Sequence, residues 1–383
     1  MKTSDFKTNA SGKLIKNLEG QWTFVPSSLP GTFAWNHDLA AILSKADRAL
    51  GQLAGLGRRL KNPKAAVRGF LRREAELSSR IEQTFARVQT LLLFEHMHEI
   101  EQDAPDVREV DNNFRALEYG LNSIRNRPIT LGLIKEMHRI LLRGVRGHDK
   151  SPGAFRKVQA HIGRTSDIRE ARFVPAPPHL IQGSMEDLEN YIRNPDGLPP
   201  LVRAAMIHYQ FEAIHPFADG NGRIGRVLIL LLLCAENVLP LPLLNPSAHL
   251  ETYRKDYYDH LLSISQRGDW NEWIEFFVEG VAGEAIDAIQ RIERLEMIRD
   301  KYQAVVQTAR RSALLPRLID QLFVNPVVTV NTAATHLDIG FTSAKKLIER
   351  LFANGILREV SGRKRNRIFI AQEIVDLFAT QRS

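Results

Sequence analysis

Apolar positions recur along most of this chain at three- and four-residue spacing, the period of an α-helix with one buried face. Between 38 and 53 they fall at Leu39, Ile42, Leu43, Ala46, Leu50 and Leu53, which predicts an amphipathic helix. A second helical pattern runs from about 67 to 101, with Phe70, Leu71, Leu77, Ile81, Phe85, Val88, Leu92 and Phe94 on the inner side. A third covers 107–146, broken at Arg127-Pro128, after which Thr130 is placed to cap a helix over 131–142. Helical patterning returns over 200–212, 222–237, 249–266 and 271–300.

Two regions depart from this period. Residues 147–178 hold Gly147, Pro152, Gly153, Gly163, Pro175, Pro177 and Pro178, and β-prone pieces at 157–162 and 171–174 flank a polar tip at 163–170. That is the pattern of a hairpin or flap. The last unit, 314–378, has three short helical stretches and then β-prone segments at 357–360 and 367–370, joined by a basic turn. Three helices and a basic hairpin predict a winged helix-turn-helix. The fold class is mainly α, with a small β-hairpin flap and this C-terminal unit. The predicted organisation is an N-terminal helical region 1–106, a core 107–290, a charged helical linker 291–311 and a terminal domain 312–383.

Composition narrows the class. A chain of 383 residues, 44% hydrophobic and 25% charged, is ordinary for two or three soluble domains. Its one cysteine, Cys234, excludes an internal disulfide framework and a Cys-type zinc site, and reads as a small buried hydrophobe. The longest apolar run, 227–235, is nine residues against the ~20 that span a bilayer. With the polar start, this predicts a cytoplasmic protein with no membrane partner. Net charge is +8, and 310–383 carries twelve basic against six acidic residues, so the excess is concentrated at the C-terminal end. A basic module suits nucleic acid or another acidic partner, and equally a solvated face.

The chemistry is concentrated in one segment, IHPFADGNGRIGR at 214–226, which runs straight into the apolar stretch 227–235. Gly220 and Gly222 permit positive φ and close backbone approach. A helix beginning here offers unpaired N–H groups and the positive end of its dipole, an anion site suited to phosphate. Arg223 and Arg226 share one face of its first turn and oppose the dipole unless an anion is bound. Asp219 offers a hard oxygen ligand for Mg²⁺, and His215 a base near neutral pH. Base, metal ligand and phosphate cradle within twelve residues are the parts of phosphoryl or nucleotidyl transfer.

Residues 215–226 match the Fic-family motif HxFx(D/E)GNGRxxR at every fixed position. The likeness extends to LLRGVRGHDKSPGAFR at 141–156, to FVPAPP at 173–178, and to the N-terminal helical region at 40–85. The resemblance implies a Fic helical core that moves AMP from ATP onto a Ser, Thr or Tyr hydroxyl of a target protein, or of itself. It implies that His215 deprotonates the hydroxyl and Asp219 binds Mg²⁺. Gly220, Asn221 and Gly222 would form the anion hole, with Arg223 and Arg226 on the phosphates. Asn245 and the segment 253–262, with Tyr258, resemble the lining of the nucleotide base.

The same resemblance singles out SSRIEQ at 78–83, similar to the family's inhibitory helix motif (S/T)xxxE(G/N). Ser78 and Glu82 fit and Gln83 departs. Glu82 paired with Arg226 would keep the arginine from the γ-phosphate. The flap at 157–174 is expected to receive the target by backbone pairing. In the terminal domain, 342–354 takes the recognition-helix position, with Arg363, Lys364, Arg365 and Arg367 on the wing. DNA contact competes there with a protein-interaction or dimerisation role, the preferred of the two, and a homodimer stays open. Two other readings remain: another Fic phosphotransfer, and a DNA-binding regulator using the Fic core as a nucleotide sensor.

Overall fold

The computed structural model describes residues 1–96, 105–163, 167–307 and 314–379. It is mostly helical, as the periodicity predicts. An antiparallel hairpin, β1 (Gly12–Lys16) and β2 (Trp22–Pro26), opens the chain and pairs Leu14 with Phe24. No helical period marks this stretch, and the sequence reading left it unassigned. Helix α1 (His37–Arg59) starts where Asn36 accepts from the Leu39 N–H at 2.7 Å, and buries Leu39, Leu43, Ala46, Leu50 and Leu53.

The pattern at 67–101 is not one helix. It divides into α2 (Pro63–Ile81) and α3 (Val88–His96), and 97–101 lie outside the described residues. The break is a closed C-cap. The Gln83 N–H bonds the Arg80 carbonyl at 2.9 Å, and the Thr84 N–H bonds the Ser79 carbonyl at 3.0 Å. Gln83 takes φ +63°, the left-handed turn this cap requires. Phe85, expected inside, is 64% exposed because the helix has already ended.

Helix α4 (Pro105–Ser123) is followed by α5 (Leu131–Leu141), capped as expected by Thr130, which accepts from the Leu133 N–H at 3.2 Å. Next come α6 (Pro178–Arg193), α7 (Pro200–Ile214) and α8 (Asn221–Ala235). Helix α8 is buried on all sides, so its apolar run is the centre of the core rather than an amphipathic surface helix. His208 ties this centre together. Its Nδ1 lies 3.1 Å from the Gly225 carbonyl, and its Nε2 2.8 Å from the Tyr257 hydroxyl. Burial pushes its pKa down to about 3, so it is a neutral structural histidine. Cys234, pushed up to about 12 by burial, stays a thiol and acts as a small core side chain.

The stretch 249–266 is two helices, α9 (Pro246–Thr252) and α10 (Arg254–Arg267), and α11 (Trp270–Gln307) then crosses the whole core. Trp273 of α11 is fully buried and donates to the Ala205 carbonyl at 2.9 Å. The predicted linker 291–311 begins inside α11, and its residues 308–311 lie outside the described part. No helix among the described residues is long and apolar enough to cross a membrane.

The C-terminal unit is a helix-turn-helix with a wing. Helix α12 (Leu314–Val324), strand β3 (Val327–Thr329), α13 (Val330–Leu337) and α14 (Phe341–Ala353) precede the hairpin β4 (Arg358–Glu359) and β5 (Ile368–Ile370). The sheet order is β3-β5-β4, all antiparallel. A further helix, α15 (Gln372–Ala379), was not anticipated. It seats the unit on α2: the Phe378 ring packs on Gly69, where a Cβ would collide with it, and lies 5.5 Å from the Phe70 ring. Arg73 donates to the Phe378 carbonyl at 3.1 Å, and Arg291 to that of Leu377.

Candidate active site

The motif forms the turn from α7 into α8. His215 ends α7 in the left-handed region at φ +52°, a strained position for a residue with a side chain. Gly220, at φ +77°, sits at the N-cap of α8, so the first N–H groups of a buried helix point into the turn. Asn221 shapes the turn with its own side chain. It accepts from the Phe217 N–H and donates to the Phe217 carbonyl, both at 2.8 Å. Its side chain is therefore spent on the loop, leaving backbone N–H groups to face an anion.

Two residues that the sequence reading gave no role hold this loop. His138 of α5 accepts from the Gly153 N–H at Nδ1 (2.8 Å), which leaves Nε2 to donate to the Asp219 carbonyl (2.9 Å). Its ring stacks on Phe217 with centroids 3.8 Å apart, and burial pushes its pKa down to about 4. Arg156 donates from Nε to the His215 carbonyl at 2.8 Å and from Nη2 to the Ala176 carbonyl at 2.5 Å. Its N–H bonds the Pro216 carbonyl at 2.9 Å. Burial pushes Arg156 down to about 10, still charged at neutral pH. His138 stands at no motif spacing, and Arg156 closes the family-like segment 141–156 but was given no role there, because contacts made across the fold leave no period to read.

His215 itself is half-buried, and its pKa is pushed down to about 4. Burial is the main cause and Arg156 adds to it, while the Glu212 carbonyl and the Glu82 carboxylate act in the opposite sense. A neutral imidazole is the form that accepts a proton. Asp219 accepts from the Gly220 N–H at 2.6 Å through Oδ1 and keeps a third of its side chain exposed. One open carboxylate beside a phosphate cradle fits Mg²⁺, which is usually held by one or two carboxylates plus phosphate oxygens. Gly147 presses close on Asp219, since a Cβ there would lie 2.7 Å from Oδ2.

Both arginines are engaged by carboxylates from the N-terminal helices. Arg226, fully buried, donates from Nε to the Ser78 hydroxyl (2.9 Å), and from Nη2 to the Ser78 carbonyl (2.9 Å) and the Glu82 carboxylate (2.8 Å). Burial opposes the charge on Glu82, yet Arg226 outweighs it and holds the carboxyl below its ordinary value. The resemblance anticipated this pair. The partner of Arg223 it did not anticipate: Glu109 of α4, buried, with Oε2 at 3.2 Å from Nη1. Two more buried carboxyls were missed. Glu74 accepts from the Ser247 hydroxyl and is pushed up to about 7. Glu212 lies against Gly225 and is pushed up to about 8, in both cases by burial.

Asn245 is fully buried and donates to the Phe70 carbonyl of α2 at 2.8 Å, so its amide is committed to anchoring that helix. Tyr258 is half-buried on α10, within electrostatic reach of Glu82 and Arg226. Among its described residues the flap forms no strand. Ile162 and Phe173 make one antiparallel bridge, and 164–166 lie outside the described residues.

A model described as Fic/DOC family matches residues 128–233, and one described as Fic/DOC family N-terminal matches 40–122. A third, described as HTH DNA binding domain, matches 315–369. The protein adenylyltransferase fic-1 of Caenorhabditis elegans is 31% identical over 166 residues, 43% of this chain and 29% of that protein. The protein adenylyltransferase Fic of Aedes aegypti is 32% identical over 149 residues, 38% of this chain and 26% of that protein. The chain thus spans less than a third of the length of these relatives.

Among solved structures, a Fic family protein from Desulfovibrio desulfuricans is similar over 90% of this chain and 98% of its own, with TM-score 0.58 at 19% identity. Fic-1 from C. elegans is similar over 68% of this chain and 74% of its own, with TM-score 0.52 at 23% identity. At such identities the likeness speaks for the fold. Residues 40–122 and 128–233 thus carry the two Fic/DOC family domains, the second containing the motif 215–226, and a helix-turn-helix unit follows at 315–369.

Proposed function

We propose that the protein is an adenylyltransferase that moves AMP from ATP to a hydroxyl side chain of a protein, itself included. The observation that carries this is the half-open, neutral His215 at the mouth of a helix N-terminus that also holds two buried arginines. The α- and β-phosphates of ATP would lie on the turn at 220–222, on the N–H groups that the Gly220–Asp219 bond leaves open, beside Arg223, with the γ-phosphate on Arg226. His215 takes the proton of the incoming hydroxyl. Its oxygen forms a bond to the α-phosphorus while the bond to the β-phosphate oxygen breaks, and pyrophosphate leaves. Mg²⁺, held by Asp219, would neutralise phosphate charge. The chain contributes position and fixed charge.

Glu82 acts as a brake in this reading. While it holds Arg226, the γ-phosphate has no guanidinium to sit on, and ATP is left out of line for attack. The target segment would lie along the flap around Ile162 and Phe173, pairing through its backbone. Intact mass after incubation with ATP and Mg²⁺ tests the reading. Glu82→Gly should gain the mass of one AMP or more, wild type less, and Glu82→Gly with His215→Ala none. No added mass in Glu82→Gly with any nucleoside triphosphate, on itself or on a cell extract, would overturn it.

A second activity is favoured by the C-terminal unit: contact with duplex DNA. Lys345, Lys346 and Arg350 on α14 and Arg363, Lys364 and Arg365 on the wing are all exposed. Phosphate contacts of this kind weaken steeply with salt. A gel-shift titration at low and moderate salt should give binding that fades with salt and is lost when the wing residues become alanine. Binding at neither salt would leave the unit a packing module.

A further inference from the structure

The turn that ends α2 is latched to both phosphate arginines, by two different routes. The first is direct, from Glu82 to Arg226. The second runs through Thr84 and Glu109. Thr84 is the residue whose N–H closes the helix cap on the Ser79 carbonyl, so its position is fixed by the same turn that aims Glu82. Its hydroxyl donates to Glu109 Oε2 at 3.1 Å, and that oxygen lies 3.2 Å from Arg223 Nη1. All three side chains are almost fully buried. Arg146, mostly exposed, approaches the same oxygen at 3.6 Å.

We infer that Glu109 is the positioning residue for Arg223, and that its bond from Thr84 is a second latch of the brake. This rests on the reading of the site as an ATP-dependent transferase. Arg223 stands between two carboxylates, Glu109 at 3.2 Å and Asp219 at 3.5 Å. A buried guanidinium turns towards whatever acceptor is left to it, because leaving it unpaired in a low dielectric is costly. Glu109 therefore shares Arg223 with Asp219: it takes Nη1 at 3.2 Å, while Nη2 reaches Asp219 Oδ1 only at 3.5 Å, so the guanidinium is kept from closing fully on the carboxylate that would serve the bound nucleotide. When the cap of α2 opens, Glu82 leaves Arg226 and Thr84 leaves Glu109 together. Glu109 then retains Arg223 alone. Removing Thr84 should thus loosen the brake, whereas removing Glu109 should damage the site that the brake conceals.

Four variants separate these effects: Thr84→Val, Glu82→Gly, and Glu82→Gly combined with Glu109→Gln or Glu109→Asp. AMP incorporation is read by intact mass, nucleotide affinity by titration with a fluorescent ATP analogue, and folding by thermal melting. Thr84→Val should raise incorporation several-fold over wild type, by less than Glu82→Gly does. In the Glu82→Gly background, Glu109→Gln should weaken analogue binding about tenfold with the melt preserved, and Glu109→Asp should recover part of the loss. Unchanged incorporation in Thr84→Val would remove the second latch. Unchanged analogue affinity in Glu82→Gly with Glu109→Gln would remove the positioning role. The affinity arm reads out even if no AMP is transferred by any variant, so its outcome is separate from that of the transferase reading.

Discussion

Gly222 lies directly beneath the Glu82 carboxylate: a Cβ at 222 would stand well inside van der Waals contact with Oε1, and 2.8 Å from Arg226 Nη1. The missing side chain at 222 thus leaves the room that the Glu82–Arg226 pair occupies. Gly222→Ala should therefore break the ion pair without freeing the site, because the added methyl also fills the phosphate cradle. Incorporation should stay at or below the wild-type level, in contrast to Glu82→Gly, and overpacking should cost about 1–3 kcal/mol in a chemical melt. A rise in incorporation would mean that the methyl is accommodated.

Gln83 supplies a second prediction. It stands at the left-handed residue of the α2 cap, where a side chain is strained and glycine is not. The inhibitory motif that this chain resembles has Gly or Asn there, and the cap geometry gives the reason. Gln83→Gly should stabilise the chain by up to about 1 kcal/mol and lower basal AMP incorporation by holding Glu82 more firmly. Higher incorporation in that variant would mean that the strain is what keeps the cap shut.

The acid limb of the reaction should be displaced. His215 is pushed down to about 4, and the Glu82 charge is one of the influences that raise it, so Glu82→Gly should not bring it back towards 6.5. In that variant kcat/KM should stay flat from pH 7 down to about 5 and fall only near 4. A midpoint near 6.5 would contradict the buried, Arg156-flanked setting of the ring.

Glu74 carries a pH dependence of stability with the opposite sign to that of an ordinary carboxylate. Its pKa is about 7 in the fold against 4.5 as a free side chain, so between those values the folded chain holds one more proton than the unfolded one. Its contribution is complete below 4.5 and is lost as pH rises through 7. Glu74→Gln should abolish that decline, worth on the order of 3 kcal/mol between pH 5 and 8. Parallel stability curves for the variant and wild type over that range would show that the carboxyl is ionised in the fold.

The turn that forms the candidate site was legible because it is local. A helix N-terminus, its glycines and its arginines lie within 215–226, and the buried run 227–235 follows at once. The helices around it were legible by period. What escaped was whatever the period cannot carry. The end of α2 is set by a cap at Gln83, a residue that is no turn signal, so Phe85 was drawn into a helix that had already stopped. Strands β1 and β2 and helix α15 are short elements that owe their place to the surfaces they cover. Arg156, His138 and Glu109 act from 59, 81 and 114 residues away in sequence from the atoms they hold in the motif.

The seat of α15 on α2 supplies a fifth prediction. Phe378→Ala should cost about 3–5 kcal/mol. It should also raise AMP incorporation per folded molecule, since it loosens the flank of the helix that carries Ser78 and Glu82. Equal incorporation per folded molecule would mean that the two flanks are independent.

Helix α2 is in contact near both ends with parts of the chain far away in sequence. Phe378 bears on it at Gly69, and Ser78 grips Arg226 nine residues further along, roughly 13 Å at the rise of an α-helix. There is no slack under Phe378 to absorb a push. A tilt of the C-terminal unit would therefore bear on the same helix that holds Arg226.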